Sequence, residues 1–380
     1  SDSTKDSKVW DRLVQALYAT GTPKGVMMSH RAALSFINWS YACFQVQSTD
    51  RVSNHAPLHF DLSIFDIFTT IKAGATVILV PPNLSAFAIN LADFIEKERI
   101  SIWYSVPLVL TQLVLRGHLQ RHQFHHLRCV LFAGEVFTIK YLRQLMSQIP
   151  HAKYYNLYGP TETNVCTYYQ LEEIPPEAVD VIPIGKACAN TEVLVLNDRG
   201  EIADFDEEGE LCVRGPSLMT GYWGMPEQTQ AVIVPYPKQP SLSMYRTGDR
   251  VKQALDGHYF YLGRRDSLIK SRGYRIELGE IETVIGHHPK VEEVAVIPIA
   301  HEHTGNEIKA VVVRQAGSQL NERDLLPYCA KHLPKYMIPS IEFQSALPKT
   351  STGKVDRTLL RQQHINSNFN GIKYIPISDN

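Results

Sequence analysis

The chain has 380 residues, of which 44% are hydrophobic, and a formal net charge of −1. That is enough apolar material for a large core and more than one domain, and the near-neutral balance gives no reason to expect nucleic acid or an anionic membrane as partner. No apolar run is long enough to span a bilayer and the opening Ser1-Asp2-Ser3-Thr4-Lys5-Asp6 lacks a signal-peptide core, so a cytoplasmic protein is expected. Cys43, Cys129, Cys166, Cys188, Cys212 and Cys329 form no Cys-x-x-Cys pair and sit in mostly apolar surroundings. They read as free thiols of a reducing compartment, not as a disulfide framework or a zinc site.

In chain order, a polar lead and a short amphipathic piece (Trp10 to Leu17) precede Thr22-Pro23-Lys24-Gly25. Small residues, a hydroxyl and one lysine in a turn suit a polyphosphate, although the spacing is not that of a Walker A loop. Ser29 is placed to cap a helix over Ala32 to Tyr41. From Val52 to Ile102 strand-like and helix-like segments alternate, including Thr76–Val80, Phe94–Glu98 and Ile100–Ser105. Asp61-Leu62-Ser63-Ile64-Phe65-Asp66-Ile67-Phe68 reads as an apolar helix interrupted by two acids, and Arg128–Phe132 as a strand running into Ala133-Gly134-Glu135. Such alternation predicts an α/β fold with a parallel sheet covered by helices, whose ligand site lies at the carboxyl ends of the strands. Phe60-Asp61, Ala133-Gly134-Glu135 and the segment at Tyr158 all fall at such ends.

That last segment, Asn156-Leu157-Tyr158-Gly159-Pro160-Thr161-Glu162-Thr163, is the densest in chemistry. Gly159-Pro160 forces a turn. The turn can hold a ring face for a base, a hydroxyl for a phosphate oxygen and a carboxylate for Mg²⁺ at one opening. From about Pro183 the texture becomes β-rich, with Val193–Leu196, Gly209–Val213 and Tyr259–Leu262 as short strands of a barrel-like antiparallel subdomain. Residues 1–265 are expected to form the large domain, and 266–380 a small α+β domain. In the latter, a hairpin around Arg272-Gly273, strands over Val291–Ile299 and Ile308–Val313 and helices over Glu280–His287 and Glu322–His332 precede a polar loop bearing Lys354. The tail from Asn366 is polar and expected to be poorly ordered.

In this order the motifs resemble those of the adenylate-forming enzymes, the superfamily of nonribosomal-peptide adenylation domains, acyl-CoA ligases and luciferases. They are Thr22-Pro23-Lys24-Gly25, Phe60-Asp61-Leu62-Ser63, Tyr158-Gly159-Pro160-Thr161-Glu162, Gly209-Glu210-Leu211-Cys212-Val213-Arg214-Gly215, Tyr245-Arg246-Thr247-Gly248-Asp249, Gly263-Arg264-Arg265-Asp266 through Glu277, and Leu347-Pro348-Lys349 through Arg357. Any one is weak, but seven in order are not. The resemblance implies a large domain of stacked α/β sheets and a small mobile one that acts as a lid, with ATP and Mg²⁺ as cofactors. It implies that Tyr158 stacks on adenine near Asn156, that Asp249 accepts from the ribose hydroxyls, and that Arg264 makes a second ribose or phosphate contact. Thr22, Lys24, Gly134, Glu135, Gly159 and Tyr261 complete the nucleotide site. Thr161 would touch the α-phosphate, Glu162 would hold the metal, and Lys354 would reach the substrate carboxylate and the α-phosphate. One ammonium brought into a dry site where charge builds on phosphorus contributes several kcal/mol, on the order of a single oxyanion donor. Asp266 matches the hinge, about which the small domain would turn to present the Arg272-Gly273 loop to a thiol.

Within this family Asp61 is typical of α-amino acid substrates, its carboxylate meeting the ammonium; helix capping is the plainer reading of the same residue. The remaining pocket positions, aligned by motif, are Leu62, Phe65, Tyr104, Leu131, Ala133, Leu157, Val165 and Cys166, none of them charged. Burying a charged substrate side chain among them is unfavourable. The set resembles that of cyanobacterial proline and methylproline activators, and L-proline is the expected substrate. No carrier-domain serine motif follows Lys354, so a free-standing enzyme serving the phosphopantetheine thiol of a separate carrier protein is expected. The alternatives are an acyl- or aryl-CoA ligase and an inactive nucleotide-binding homologue. Two features depart from the family: few residues precede the phosphate loop, and Tyr18-Ala19-Thr20 passes straight to Gly21-Thr22. The loop is expected to be joined across absent residues, in which case Tyr18 and Gly21 lie beyond the reach of three peptide links.

Overall fold

The computed structural model describes residues 13–17, 24–58, 60–176, 181–264, 268–271, 274–301, 305–349 and 355–369. The Tyr18–Gly21 separation lies outside them, as do Thr22, Asp266, Arg272, Gly273 and Lys354. The described residues up to Arg264 form one compact unit and those from Leu268 a second.

The larger unit is built on a seven-stranded sheet. Its strands are β3 (Arg51–Asn54), β4 (Thr76–Leu79), β5 (Ile102–Ser105), β6 (Cys129–Ala133), β7 (Lys153–Tyr158), β8 (Thr167–Leu171) and β9 (Lys186–Ala187), in the order β4-β3-β5-β6-β7-β8-β9. Strands β5 and β6 are fully buried, as expected of near-continuous apolar runs covered on both faces. One face carries Trp103, Val130, Phe132 and Tyr154 against helices α3 (Ala88–Lys97), α4 (Pro107–Arg116) and α5 (Ile139–Gln148). The opposite face carries Ile102, Tyr104, Cys129, Leu131, Ala133, Tyr155 and Leu157 against α1 (His30–Cys43) and the helical segment α2 (residues 62–73). Strand pleating alone makes this division, sending alternate residues to opposite sides.

Helix α1 begins where expected, with Ser29 Oγ accepting from the Ala32 amide at 3.1 Å. Segment α2 is α-helical over Leu62–Ile64, π-helical over Phe65–Thr69 and α-helical again over Thr70–Ala73. The sheet departs from the expected parallel one at its end. Strands β4, β3, β5, β6 and β7 run parallel, whereas β8 pairs antiparallel with β7, and β9 antiparallel with β8. Residues 159–166 are too few for a parallel crossover, so the chain turns straight back.

The β-rich segment is antiparallel, as expected. Strands β10 (Glu192–Leu196), β11 (Glu208–Arg214), β13 (Ile233–Tyr236), β14 (Gln239–Gln253) and β15 (Tyr259–Arg264) form a five-stranded antiparallel sheet, and no pairing among the described residues closes it into the expected barrel. The long β14 changes neighbours along its length, lying between β13 and β11 at Tyr245 and between β11 and β15 at Arg250. Beside it, β1 (Leu13–Leu17), β2 (Lys24–Met28) and β12 (Gly221–Tyr222) make a three-stranded antiparallel sheet, followed by helix α6 (Pro226–Val232).

In the smaller unit β16 (Leu268–Ser271) and β17 (Tyr274–Glu277) pair as the expected hairpin. Strands β18 (Val291–His301) and β19 (Gly305–Arg314) are antiparallel, and β20 (Ser340–Gln344) joins β19 in parallel. Helices α7 (Leu278–Gly286) and α8 (Glu322–His332) pack Ile281, Ile285, Leu325 and Cys329 on one side of this sheet. Helix α9 (Arg357–Phe369) packs Leu360 on the other, with Ala295, Ile297, Val311 and Val313. It runs past Asn366, where a disordered tail was expected to start.

Candidate nucleotide and substrate site

Tyr158 ends β7, and the chain then makes a tight loop. The Cys166 amide donates to the Tyr158 carbonyl at 2.8 Å, closing the loop, and Asn164 adopts a left-handed φ of 55°. Gly159 is required by space, since a Cβ there would lie 1.7 Å from the Asn164 carbonyl oxygen. The loop therefore presents Thr161 and Glu162 from a backbone pinned at both ends.

The Tyr158 ring is 5% exposed and packs with Ile184, Val195, Leu211, Val251 and Tyr259, where the two larger sheets meet. Its hydroxyl donates to Asp249 Oδ2, and Arg264 Nη1 reaches Asp249 Oδ1 at 2.8 Å. Burial, then the neighbouring Asp249 charge, raises the Tyr158 phenol well above its usual range. Asp249 is itself buried, and its amide donates to Thr247 Oγ1 at 3.0 Å while Thr247 Oγ1 donates to the Leu211 carbonyl at 2.8 Å. A carboxylate offers about four lone-pair positions, so one donor on each oxygen leaves Asp249 able to accept from two further hydroxyls. The Tyr261 ring lies 6.3 Å from that of Tyr158. Asn156 Nδ2 donates to the Pro183 carbonyl at 2.8 Å.

A second pair lies at the mouth of the sheet's other face. Asp61 precedes α2 in helical conformation and makes no side-chain capping bond to the helix. Its Oδ2 accepts instead from Thr161 Oγ1 at 2.8 Å, across a hundred residues of sequence. Below it Leu62, Phe65, Tyr104, Leu131, Ala133, Leu157 and Val165 belong to one buried cluster. Cys166 does not; it packs with Tyr158 and Ile184. Burial, then Asp61 and Asp66, raises the Tyr104 phenol well above its usual range.

A third group joins Glu162 to Lys24. Glu162 is fully buried, and the Tyr222 hydroxyl donates to its Oε1 at 2.6 Å. Lys24 Nζ stands 5.6 Å from the centre of the Tyr222 ring, within cation–π range. Spacing in sequence gave no signal for Tyr222, because β12 is brought to β2 only by strand pairing. Its one local mark is Gly221, where φ is +143° and a Cβ would meet Thr229 Cγ2 at 2.8 Å. Among the described residues no three His, Cys, Asp or Glu side chains gather as a metal site. A metal here would take Glu162 and find its other ligands on a bound phosphate and water. Mg²⁺ accepts that donor set, since it binds through one or two carboxylates plus substrate phosphates. Gly134 and Glu135 follow β6 at the same end of the sheet.

The sequence profile of the AMP-binding enzyme family matches residues 19–223, and that of the AMP-binding enzyme C-terminal domain matches residues 280–354. The chain belongs to the AMP-binding enzyme family. This AMP-binding enzyme is 43% identical over 93% of its length to an L-proline–[L-prolyl-carrier protein] ligase of Pseudomonas fluorescens, covering 69% of that protein. It is 37% identical over 89% of its length to a protein of the same name from Streptomyces coelicolor, covering 63% of it. The crystal structure of the Vibrio cholerae adenylation domain AlmE in complex with glycyl-adenosine-5'-phosphate superposes with a TM-score of 0.80 at 28% identity, covering 93% of this chain and 66% of that one. The AMP-binding enzyme thus spans about two thirds of the length of each relative. None of its described helices is long and apolar enough to cross a membrane.

Proposed function

We propose that the chain activates L-proline with ATP and passes the prolyl group to the phosphopantetheine thiol of a carrier protein. In the first step a carboxylate oxygen of the amino acid bonds to the α-phosphorus and pyrophosphate leaves. In the second, the thiol sulfur bonds to the acyl carbon, its proton is lost to solvent, and AMP leaves. The observation that carries this reading is the 2.8 Å hydrogen bond between Thr161 and Asp61. An α-amino acid separates its ammonium from its carboxylate by one carbon. An acid for the ammonium and a hydroxyl for the α-phosphate must therefore be neighbours, and these two residues touch.

The remaining groups fit the same chemistry. Asp249, already oriented by Tyr158 and Arg264, accepts from the ribose hydroxyls. The cluster below Asp61 is uncharged and suits a small apolar side chain. Glu162, together with the nucleotide phosphates, would hold a Mg²⁺ ion, which would supply positive charge where charge builds on phosphorus. Asp266, Arg272, Gly273 and Lys354 keep the roles that the resemblance gives them. The names of the Pseudomonas and Streptomyces relatives support proline and a carrier as the partners.

An ATP–pyrophosphate exchange panel over the amino acids tests the substrate, with L-proline expected to exchange fastest. Faster exchange with an acidic or basic amino acid overturns the pocket argument. Transfer to coenzyme A in preference to a phosphopantetheinylated carrier overturns the second half-reaction.

A further inference from the structure

We propose that Tyr222 is a positioning residue for adenylation, its hydroxyl holding the Glu162 carboxylate in the orientation that Mg²⁺–nucleotide requires. The inference rests on the adenylation reading above and adds to it a residue that no motif had marked.

Glu162 is buried to 0% exposure and Tyr222 to 4%, and their side chains meet at 2.6 Å. A buried carboxylate with a poorly fixed rotamer binds a cation badly, because geometry has to be arranged at the moment of binding. A phenol donating to Oε1 fixes the rotamer without contributing a charge, and so does not compete with the cation.

The phenol is itself fixed from three sides. The Tyr222 amide donates to Thr229 Oγ1 at 2.9 Å, above the close approach that Gly221 allows. Tyr222 pairs with Val26 across β12 and β2, and its ring packs with Val26, Met219 and Tyr245. The Met219 amide donates to the Glu162 carbonyl at 2.8 Å, so backbone and side chain of Glu162 are both gripped from the 219–222 segment. Lys24 Nζ, from the strand after the expected phosphate loop, stands over the same ring, 5.6 Å from its centre. Tyr245 belongs to the strand that carries Asp249. One ring thus touches the phosphate-loop strand, the acid for the metal and the strand of the ribose acid.

The test is Tyr222→Phe, which keeps the ring and removes the hydroxyl. ATP affinity is measured by calorimetry with Mg²⁺ and again in EDTA, alongside thermal unfolding. The affinity in EDTA is expected to stay within about twofold of wild type, while the gain on adding Mg²⁺ falls by about 10-fold or more, as for other groups that orient a metal ligand. Glu162→Gln is expected to lose the same gain, and the double variant to lose no more than Glu162→Gln alone. An unchanged Mg²⁺ gain in Tyr222→Phe overturns the proposal, and so does an equal loss with and without Mg²⁺, which marks a purely structural ring. If Tyr222→Phe fails to fold, Glu162→Gln decides, because an unchanged Mg²⁺ gain there leaves nothing to position. Wild-type protein that exchanges no pyrophosphate sinks the adenylation reading instead, and the two failures are told apart by that control.

Discussion

Two buried carboxyl groups of the larger unit are handled in opposite ways. Asp249 is 2% and Arg264 7% exposed at the side chain, and the two form a 2.8 Å ion pair. Removing one partner of such a pair leaves a buried charge unmatched, which costs about 3–5 kcal/mol. Arg264→Ala is expected to lower unfolding free energy by about that amount in urea titration; a loss below about 1 kcal/mol would show that solvent already screens the pair. Asp66 has no such partner. It lies wholly buried in the π-helical turn of α2, takes a 3.2 Å hydrogen bond from Asn54 on Oδ2, and Oδ1 has no hydrogen-bond partner among the described residues. Burial raises its carboxyl well above the usual range. An unfolded aspartate ionises near 3.9. Stability is therefore lost as pH rises from about 4 towards the raised folded value, because the unfolded chain releases a proton that the folded one retains. Asp66→Asn has no titrating carboxyl there, so its melting temperature relative to wild type is expected to climb as pH rises above about 4. A difference that stays flat with pH would mean that Asp66 ionises normally.

The elements differ in how far their residues announced them. The strand over Cys129–Ala133 was legible from its apolar run, and Leu131 and Ala133, which the resemblance placed in the expected pocket, both fall in the cluster below Asp61. The Ser29 cap and the helix over Glu322–His332 were equally plain, because both signals are local. The π-helical turn at Phe65–Thr69 was not legible, since no composition separates it from an ordinary helix. Nor was the turning back of β8, which depends on the length of the loop before it. Tyr222 was out of reach for a different reason: its contact with Glu162 spans sixty residues and is made by sheet pairing. Within the Tyr158 loop, Gly159 is the point of least tolerance. Gly159→Ala puts a methyl into the Asn164 carbonyl and the backbone must move. A destabilisation of about 1–3 kcal/mol is expected from such overpacking, with nucleotide affinity falling as Thr161 and Glu162 shift. Unaltered melting and ATP binding would show the loop to be more compliant than its contacts indicate.

At the scale of the whole molecule the two units have separate cores, and the smaller is closed on both faces of its sheet. Expressed alone from residue 267, it is expected to unfold cooperatively, with a pH dependence of its own. Burial tends to raise Glu342, but hydrogen bonds from Gln344, His364 and Lys309 outweigh this and hold its carboxyl at about 2. A depressed carboxyl contributes stability above its unfolded pKa and loses it as the folded value is approached. The isolated unit should therefore weaken between about pH 4.3 and its folded value, and Glu342→Gln should flatten that slope in thermal melts. A broad, non-cooperative melt would show that the unit depends on the rest of the chain.

The change of neighbours along β14 sets a limit of another kind. Its first half pairs with β13 and its second with β15, while β11 pairs with both halves across an irregularity that sets Glu210 and Cys212 opposite Arg250 and Arg246. The irregularity falls on Thr247, Gly248 and Asp249, so adding or deleting a residue there would turn Asp249 to another side even where the flanking ladders stayed in step. Length is thus constrained where Asp249 sits, and diversification of such an enzyme is left to exchanges of side chain on the sheet face and to the loops that end it.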